Sequence, residues 1–502
     1  MGRSNWAIFT LVLPDCPERE DPPNNQNIPL EAADNRGKEN MGPRSNSTLV
    51  LDRPAEAGNE IANKLETQHR PTRSRQAERF SPPPPQRLVD LGLPDSLIEQ
   101  LLFKLLYFRG DTMGGDLSRA VGLKFSLIQS MLDNFRLQHL IQVKSSLGIG
   151  PVSSVVALTE QGRKVARDYL DNNHYVGPAP VPISQYTAAV LAQQMPPNWL
   201  RPERLAKAYS HMVVTETLLD QLGPAVSSGK SFLIYGQPGN GKTQVAEALS
   251  RIQTTDIYIP YALEFQGNII QLFDPIYHRP VPASPDVESD GELDGRWVRC
   301  HRPFIATGGE LSLSMLDLSH NPVSGIFDAP FQLKANNGIY LIDDFGRQRA
   351  TPSEILNRWI VPMERRIDYL SLSNGGKMTV PFETFLVFST NLNPNELGGE
   401  AFVRRIQYKM LLRSPDEAEF LTILRKYCEM QGLSAPEKLI DHFIEKHYRQ
   451  TRKPFRRCHP RDIISQVIDY INFKRLPHEL TEELLDRAFD GCFLADTESS
   501  ES

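Results

Sequence analysis

The run Gly236-Gln237-Pro238-Gly239-Asn240-Gly241-Lys242-Thr243 has the spacing G-x-x-x-x-G-K-[ST] and lies between an apolar strand-like stretch, Ser231–Tyr235, and a helical one, Gln244–Ser250. That spacing binds phosphate. Its glycines let the backbone turn several N–H groups inward, and the following helix adds its N-terminal dipole. Lys242 is expected to reach the β and γ phosphates and Thr243 to offer its hydroxyl to Mg²⁺. The candidate nucleotide-binding set is therefore Gly236, Pro238, Gly239, Asn240, Gly241, Lys242, Thr243 and Gln244, with ATP and Mg²⁺ as the implied cofactors. A second element, Gly338-Ile339-Tyr340-Leu341-Ile342-Asp343-Asp344, is an apolar strand ending in two carboxylates. A phosphate-loop enzyme needs an acid at that end to hold the magnesium shell. Asp343 takes this role beside Thr243.

These residues need a scaffold. The chain has 502 residues, 40% hydrophobic and 23% charged, enough for several domains with their own cores. Its formal net charge of -6 gives the whole molecule no signature of a binder of nucleic acid or anionic membranes. Cys16, Cys300, Cys428, Cys458 and Cys492 are scattered without paired spacing, which argues against a disulfide framework or zinc site and fits a reducing cytoplasm. The apolar run Trp6–Leu13 is too short to cross a bilayer.

Residues 1–88 are rich in Asn, Glu, Arg, Pro and Ser, close near Ser81-Pro82-Pro83-Pro84-Pro85, and read as a disordered tail. The polyproline stretch reads as a stiff linker or as a ligand for an aromatic groove. Over 89–176 the pattern predicts three helices, two strands and a closing helix. Residues 177–199 read as a Pro-rich linker. Next come an α/β core over 200–414 with a mostly parallel sheet, a helical lid over 415–496 and a disordered end over 497–502.

The element order over 89–176, with Leu158-Thr159-Glu160-Gln161-Gly162-Arg163, resembles a winged helix. Its Lys and Arg residues are nearly balanced by Asp and Glu, which equips it poorly for DNA phosphates; the readings are DNA binding or a structural or protein-docking role. The motif order in the larger domain is similar to the AAA+ superfamily. It resembles bacterial "AAA family ATPase" proteins of undefined task that carry a winged-helix module and MoxR-like features.

That resemblance implies further roles. Asp344 falls where the family usually has a glutamate that polarises the attacking water, and it is shorter by one methylene. Phe385-Leu386-Val387-Phe388-Ser389-Thr390-Asn391 looks like the sensor-1 strand, with Asn391 at the γ-phosphate or lytic water. Arg404 or Arg405 would be a finger donated to a neighbouring subunit. Arg461, in His459-Pro460-Arg461-Asp462, would reach the nucleotide from the lid. The hairpin around Asn374-Gly375-Gly376 resembles one that touches substrate in a ring pore, or is an ordinary surface hairpin. The stretch 264–336, with its acidic loop Asp286–Asp294, reads as an insertion that contacts a partner or as a solvated excursion. The implied function is an oligomeric ATPase remodelling an unknown protein client. The alternatives are a DNA-associated regulator or loader and a slow-hydrolysing ATP-controlled scaffold.

Overall fold

The apolar runs fold into a parallel sheet flanked by helices, seen in a computed structural model that describes residues 80–493 apart from 147, 149, 197–198, 254, 283–292, 374 and 398–403. Most of the N-terminal tail, most of the acidic loop, Asn374 and the C-terminal end lie outside the described residues. The central strands are β1 (Phe232–Tyr235), β2 (Phe304–Thr307), β3 (Ile339–Ile342), β4 (Phe385–Thr390) and β5 (Tyr408–Leu411). They pair in the order β2-β3-β4-β1-β5, all parallel. β3 and β4 are buried along their whole length and β1 nearly so, which is why they read as unbroken apolar runs.

One face of the sheet packs against helices Pro202–Ala208 and Glu216–Ser228 and against α1 (Lys242–Ala248) through residues such as Leu205, Leu222 and Val245. The other face packs on helix Pro352–Arg365 through Ile355 and Trp359. The segment that leads into β1 is two helices with a break at 209–215. Tyr209 anchors the break by donating to Val245 O at 2.7 Å. The region expected as a lid comprises α2 (Glu417–Met430), Glu437–Ile444 continued by a π-turn through Arg449, α3 (His459–Lys474) and Glu482–Cys492. Phe420, Tyr448, Val467 and Phe489 lie in its core. Among the described residues no helix is long and apolar enough to cross a membrane.

The stretch 264–336 differs from a surface excursion. It supplies β2 to the central sheet and strands Asn268–Gln271, Ser319–Asn321 and Ile326–Asp328 to a second sheet. The residues expected as a linker join that sheet as well. Val181–Pro182 pairs with Ala262–Phe265, and helix Ile183–Ala192 buries Tyr186 and Val190 in the same core as Leu370 and Val380 of the hairpin Ile367–Ser371/Lys377–Pro381. That hairpin is therefore packed along one side.

Residues 88–176 form helices Asp95–Arg109, Gly114–Val121 and Phe125–Leu137, a three-stranded antiparallel sheet, and a closing helix Glu160–Asn172. Ala262 and Ile269 of the second sheet belong to this module's own hydrophobic core. Gly122 and Gly295 meet backbone to backbone at the junction. Arg296, paired with Asp294 at 2.7 Å and almost wholly buried, reaches Gln185 Oε1 at 3.2 Å, while Gln185 donates to Asp90 O at 2.9 Å. The polyproline end of the expected tail is packed too. Phe80 lies edge-on to Tyr258 and Trp297, Pro82 and Pro85 are buried, and Asp294 N donates to Pro82 O at 3.3 Å.

Candidate functional site

The C-terminal ends of β1, β3 and β4 lie side by side and carry, in turn, the glycine loop, the paired aspartates and Asn391. Ligands of open parallel sheets bind at such ends, where the strand order reverses. Here β1 is flanked by β4 and β5. The loop is pressed against the end of β5: a Cβ on Gly236, at φ 146, would stand 2.4 Å from Leu412 O. Only glycine fits that approach. Asn240 is fully buried and donates to Ser414 Oγ at 3.2 Å, tying the loop to the segment after β5.

Lys242 is 6% exposed and donates to Gly236 O and Gln237 O, each at 3.1 Å, and to Asn391 Oδ1. Burial pushes its pKa down, opposed by Asp344 and Asp343. Asn391 Nδ2 donates to Asp344 Oδ1 at 3.0 Å, so Asn391 bridges the lysine and the second aspartate. Thr243 Oγ1 donates to Asp343 Oδ2 at 2.7 Å, and Asp343 Oδ1 accepts from Asp344 N at 3.0 Å. Asp344 sits in the left-handed region at φ 47, a conformation Asp tolerates better than most residues. Gln348 braces the turn by donating to Asp343 O at 2.8 Å and Asp344 O at 3.2 Å.

A cavity of about 260 Å³ is lined by Pro238, Gly239, Gly241, Lys242, Thr243, Gln244, Asp343, Asp344, Asn391 and, from the lid side, Tyr427, Arg457, Cys458 and Arg461. Arg461 is half-exposed and paired with its neighbour Asp462 at 2.8 Å, which raises its pKa. Arg404 and Arg405 do not line this cavity; Arg404 is exposed and Arg405 lies 3.7 Å from Glu364. Thr243 and Asp343 fit Mg²⁺ as a partial ligand pair. Among the described residues no group of three or more His, Cys, Asp or Glu could hold a metal ion.

A second cavity of about 690 Å³ adjoins the first and shares Gly241, Gln244, Tyr427 and Arg457 with it. Its walls include Val213, Val214, Leu218, Val245, Leu412 and Ile423. Sequence reasoning missed it, because the lead-in break, the loop, the end of β5 and α2 meet only in the fold. Arg457 and Tyr427 were missed for the same reason, and Gln348 because nothing marks a glutamine just past the aspartates as the brace of their turn. A further cavity, at the N-terminal ends of the strands, holds Arg302 and Arg366, but their guanidinium groups donate to backbone carbonyls of Asn337, Gln193 and Gly229.

Residues 416–491 match a protein-family model described as "Domain of unknown function (DUF8689)". No curated protein matches the chain. Among solved structures it is similar to NtrX from Brucella abortus, at 13% identity and a TM-score of 0.36, covering 58% of this chain and 58% of that one. It is also similar to a point mutant of Thermotoga maritima RuvB, at 15% identity, a TM-score of 0.33, and 58% and 73% coverage. Domain III of the T. maritima replication initiation protein DnaA is similar at 14% identity, a TM-score of 0.32, and 58% and 98% coverage. The chain spans less than two thirds of the length of NtrX. Likeness at these scores carries nothing over to this chain.

Proposed function

We propose that this chain binds ATP with Mg²⁺ and hydrolyses it as an oligomeric AAA+ type ATPase acting on a protein client. The observation that carries the reading is the convergence in one cavity of the loop lysine, the Thr243–Asp343 pair and the Lys242–Asn391–Asp344 chain. The loop N–H groups and Lys242 would hold the phosphates, and Thr243 with Asp343 would hold the metal, which screens phosphate charge. Asp344, oriented by Asn391, would accept a proton from the attacking water. The base and sugar would occupy the larger cavity.

Arg404 and Arg405 stand outside the cavity of their own chain, which supports their acting on a neighbour's. The test is ATP turnover measured against protein concentration. Specific activity is expected to rise with concentration and to fall by about a hundredfold or more in whichever of Arg404→Ala and Arg405→Ala removes the finger. Activity indifferent to concentration and to both arginines overturns the oligomeric reading. Asp344→Asn separates a motor from a slow scaffold: if wild type turns over slowly and the variant matches it, the scaffold reading stands.

The DNA reading has less support. Of the nine Lys and Arg residues in the N-terminal module, Lys104 is buried and Lys144 pairs with Asp111, Arg119 with Asp116 and Arg163 with Glu160, while Arg109, Arg136 and Lys164 are exposed. Paired cations release fewer counterions on binding a phosphate backbone.

A further inference from the structure

The two cavities meet at a waist lined by the four residues they share, Gly241, Gln244, Tyr427 and Arg457. On one side of the waist stand the charged groups Lys242, Asp343, Asp344 and Arg461. On the other stand apolar side chains, among them Val214, Val245, Leu412 and Ile423. A nucleotide has the same order of parts: an anionic phosphate chain, a neutral sugar and a flat base. With the terminal phosphates at Lys242 and the base in the larger cavity, the ribose falls at the waist, where a few placed polar groups fix a ligand's orientation.

The polar groups there differ in what they have left to offer. Arg457 is occupied: its Nη1 donates to Val213 O at 2.9 Å and its Nη2 to Glu419 Oε2 at 3.0 Å, so it serves as wall. Gln244, the third residue of α1, is exposed, and Tyr427, on α2, is half-buried. Among the described residues neither the Gln244 amide nor the Tyr427 hydroxyl has a protein hydrogen-bond partner, and the Tyr427 hydroxyl is not sealed from solvent. Both groups are neutral, and each is able to donate to a sugar hydroxyl or to accept from one.

We propose that Tyr427 and Gln244 form a ribose clamp, the phenol taking one of the 2′ and 3′ hydroxyls and the amide the other, which makes the site selective for ribonucleotides over deoxyribonucleotides. This inference rests on the ATP reading above. Because the two residues belong to α1 and α2, the sugar bridges the phosphate-loop helix and the first helix of the C-terminal helical region. Each bond to the sugar replaces one made to water, so its net worth is modest and the selectivity is of the same size.

The experiment is calorimetric titration of ADP, 2′-deoxy-ADP and 3′-deoxy-ADP with Mg²⁺ into wild type, Tyr427→Phe, Gln244→Ala and Lys242→Ala, with ATP as control. Each variant is checked for an unchanged circular-dichroism melt. Each deoxy analogue is expected to bind wild type about fivefold more weakly than ADP, the worth of one neutral hydrogen bond. Tyr427→Phe keeps the ring and loses only the hydroxyl. It is expected to weaken ADP about fivefold and to leave unchanged the analogue that lacks its partner, since a bond missing from the ligand is not lost again with the protein group. Gln244→Ala is expected to do the same with the other analogue. Deoxy analogues that bind wild type as tightly as ADP overturn the inference. So does a loss in Tyr427→Phe and Gln244→Ala that is equal for all three diphosphates, because the two side chains then only shape the cavity. Failure of the ATP reading looks different: wild type takes up neither ADP nor ATP, or Lys242→Ala binds both as wild type does.

Discussion

Replacing Lys242 with alanine is expected to weaken ATP binding by about a hundredfold and to lower turnover about a thousandfold, the range seen when one preorganised donor to a phosphoryl or oxyanion group is removed. The cause is more than the loss of one charge. Lys242 Nζ is the shared donor to Gly236 O, Gln237 O and Asn391 Oδ1, so its removal leaves the loop carbonyls without their partner. It also unties Asn391, which orients Asp344. Because the lysine is only 6% exposed, Lys242→Arg should not rescue: the longer, planar fork has no room. Fluorescent-nucleotide binding and phosphate release would check both variants. Full activity in Lys242→Ala would remove the basis for a phosphate site at this loop.

The second large effect is expected far from the nucleotide, at Gly162. Thr159 caps the closing helix of the N-terminal module by accepting from Gly162 N at 3.1 Å, while Thr159 N donates to Leu140 O at 3.0 Å. This draws the helix onto the start of strand Ile141–Ser146. A Cβ at position 162 would stand 2.0 Å from Leu140 O, a backbone atom that cannot swing aside. Gly162→Ala should therefore cost about 3 kcal/mol or more by overpacking. Gly223→Ala, in helix Glu216–Ser228, meets only Leu205 Cδ2 at 3.7 Å and should be neutral or stabilising by about 0.5 kcal/mol through helix propensity. Thermal unfolding of the pair measures the contrast, and equal melting points would show that the closing helix can shift.

The glycine in Leu158-Thr159-Glu160-Gln161-Gly162-Arg163 was legible as a pattern before its cause was, because the clash lies with a residue twenty-two positions earlier. The same division runs through the chain. β1, β3 and β4 are interior strands with both faces covered, so their sequences are continuous apolar runs and announce themselves. β2 and β5 lie at the sheet's edges, with alternating burial along Phe304–Thr307 and Tyr408–Leu411, and four alternating residues give no signal that stands out from a loop. The missed β2 made 264–336 look like an excursion. At the site, Lys242, Thr243, Asp343 and Asn391 could be read because each follows a strand or begins a helix at a fixed spacing. Arg457 could not, since its meaning comes from Val213 and Glu419, which only tertiary packing brings to it.

The continuity of the N-terminal module's core with Ala262 and Ile269 has a consequence for how any signal would leave the α/β core. A module on a flexible tether samples space, and its grip on a partner depends on effective concentration set by tether length. This one is joined at Gly122–Gly295, by Gln185 Nε2 donating to Asp90 O, and through Ala262 and Ile269 in its own core. It would act as an arm of fixed bearing, and its far face would report rotation of the whole body. For the same reason it is not a cassette: a chain shortened to begin at Arg201 would strip the cover from Ala262 and Ile269 and leave an apolar scar on the remaining protein.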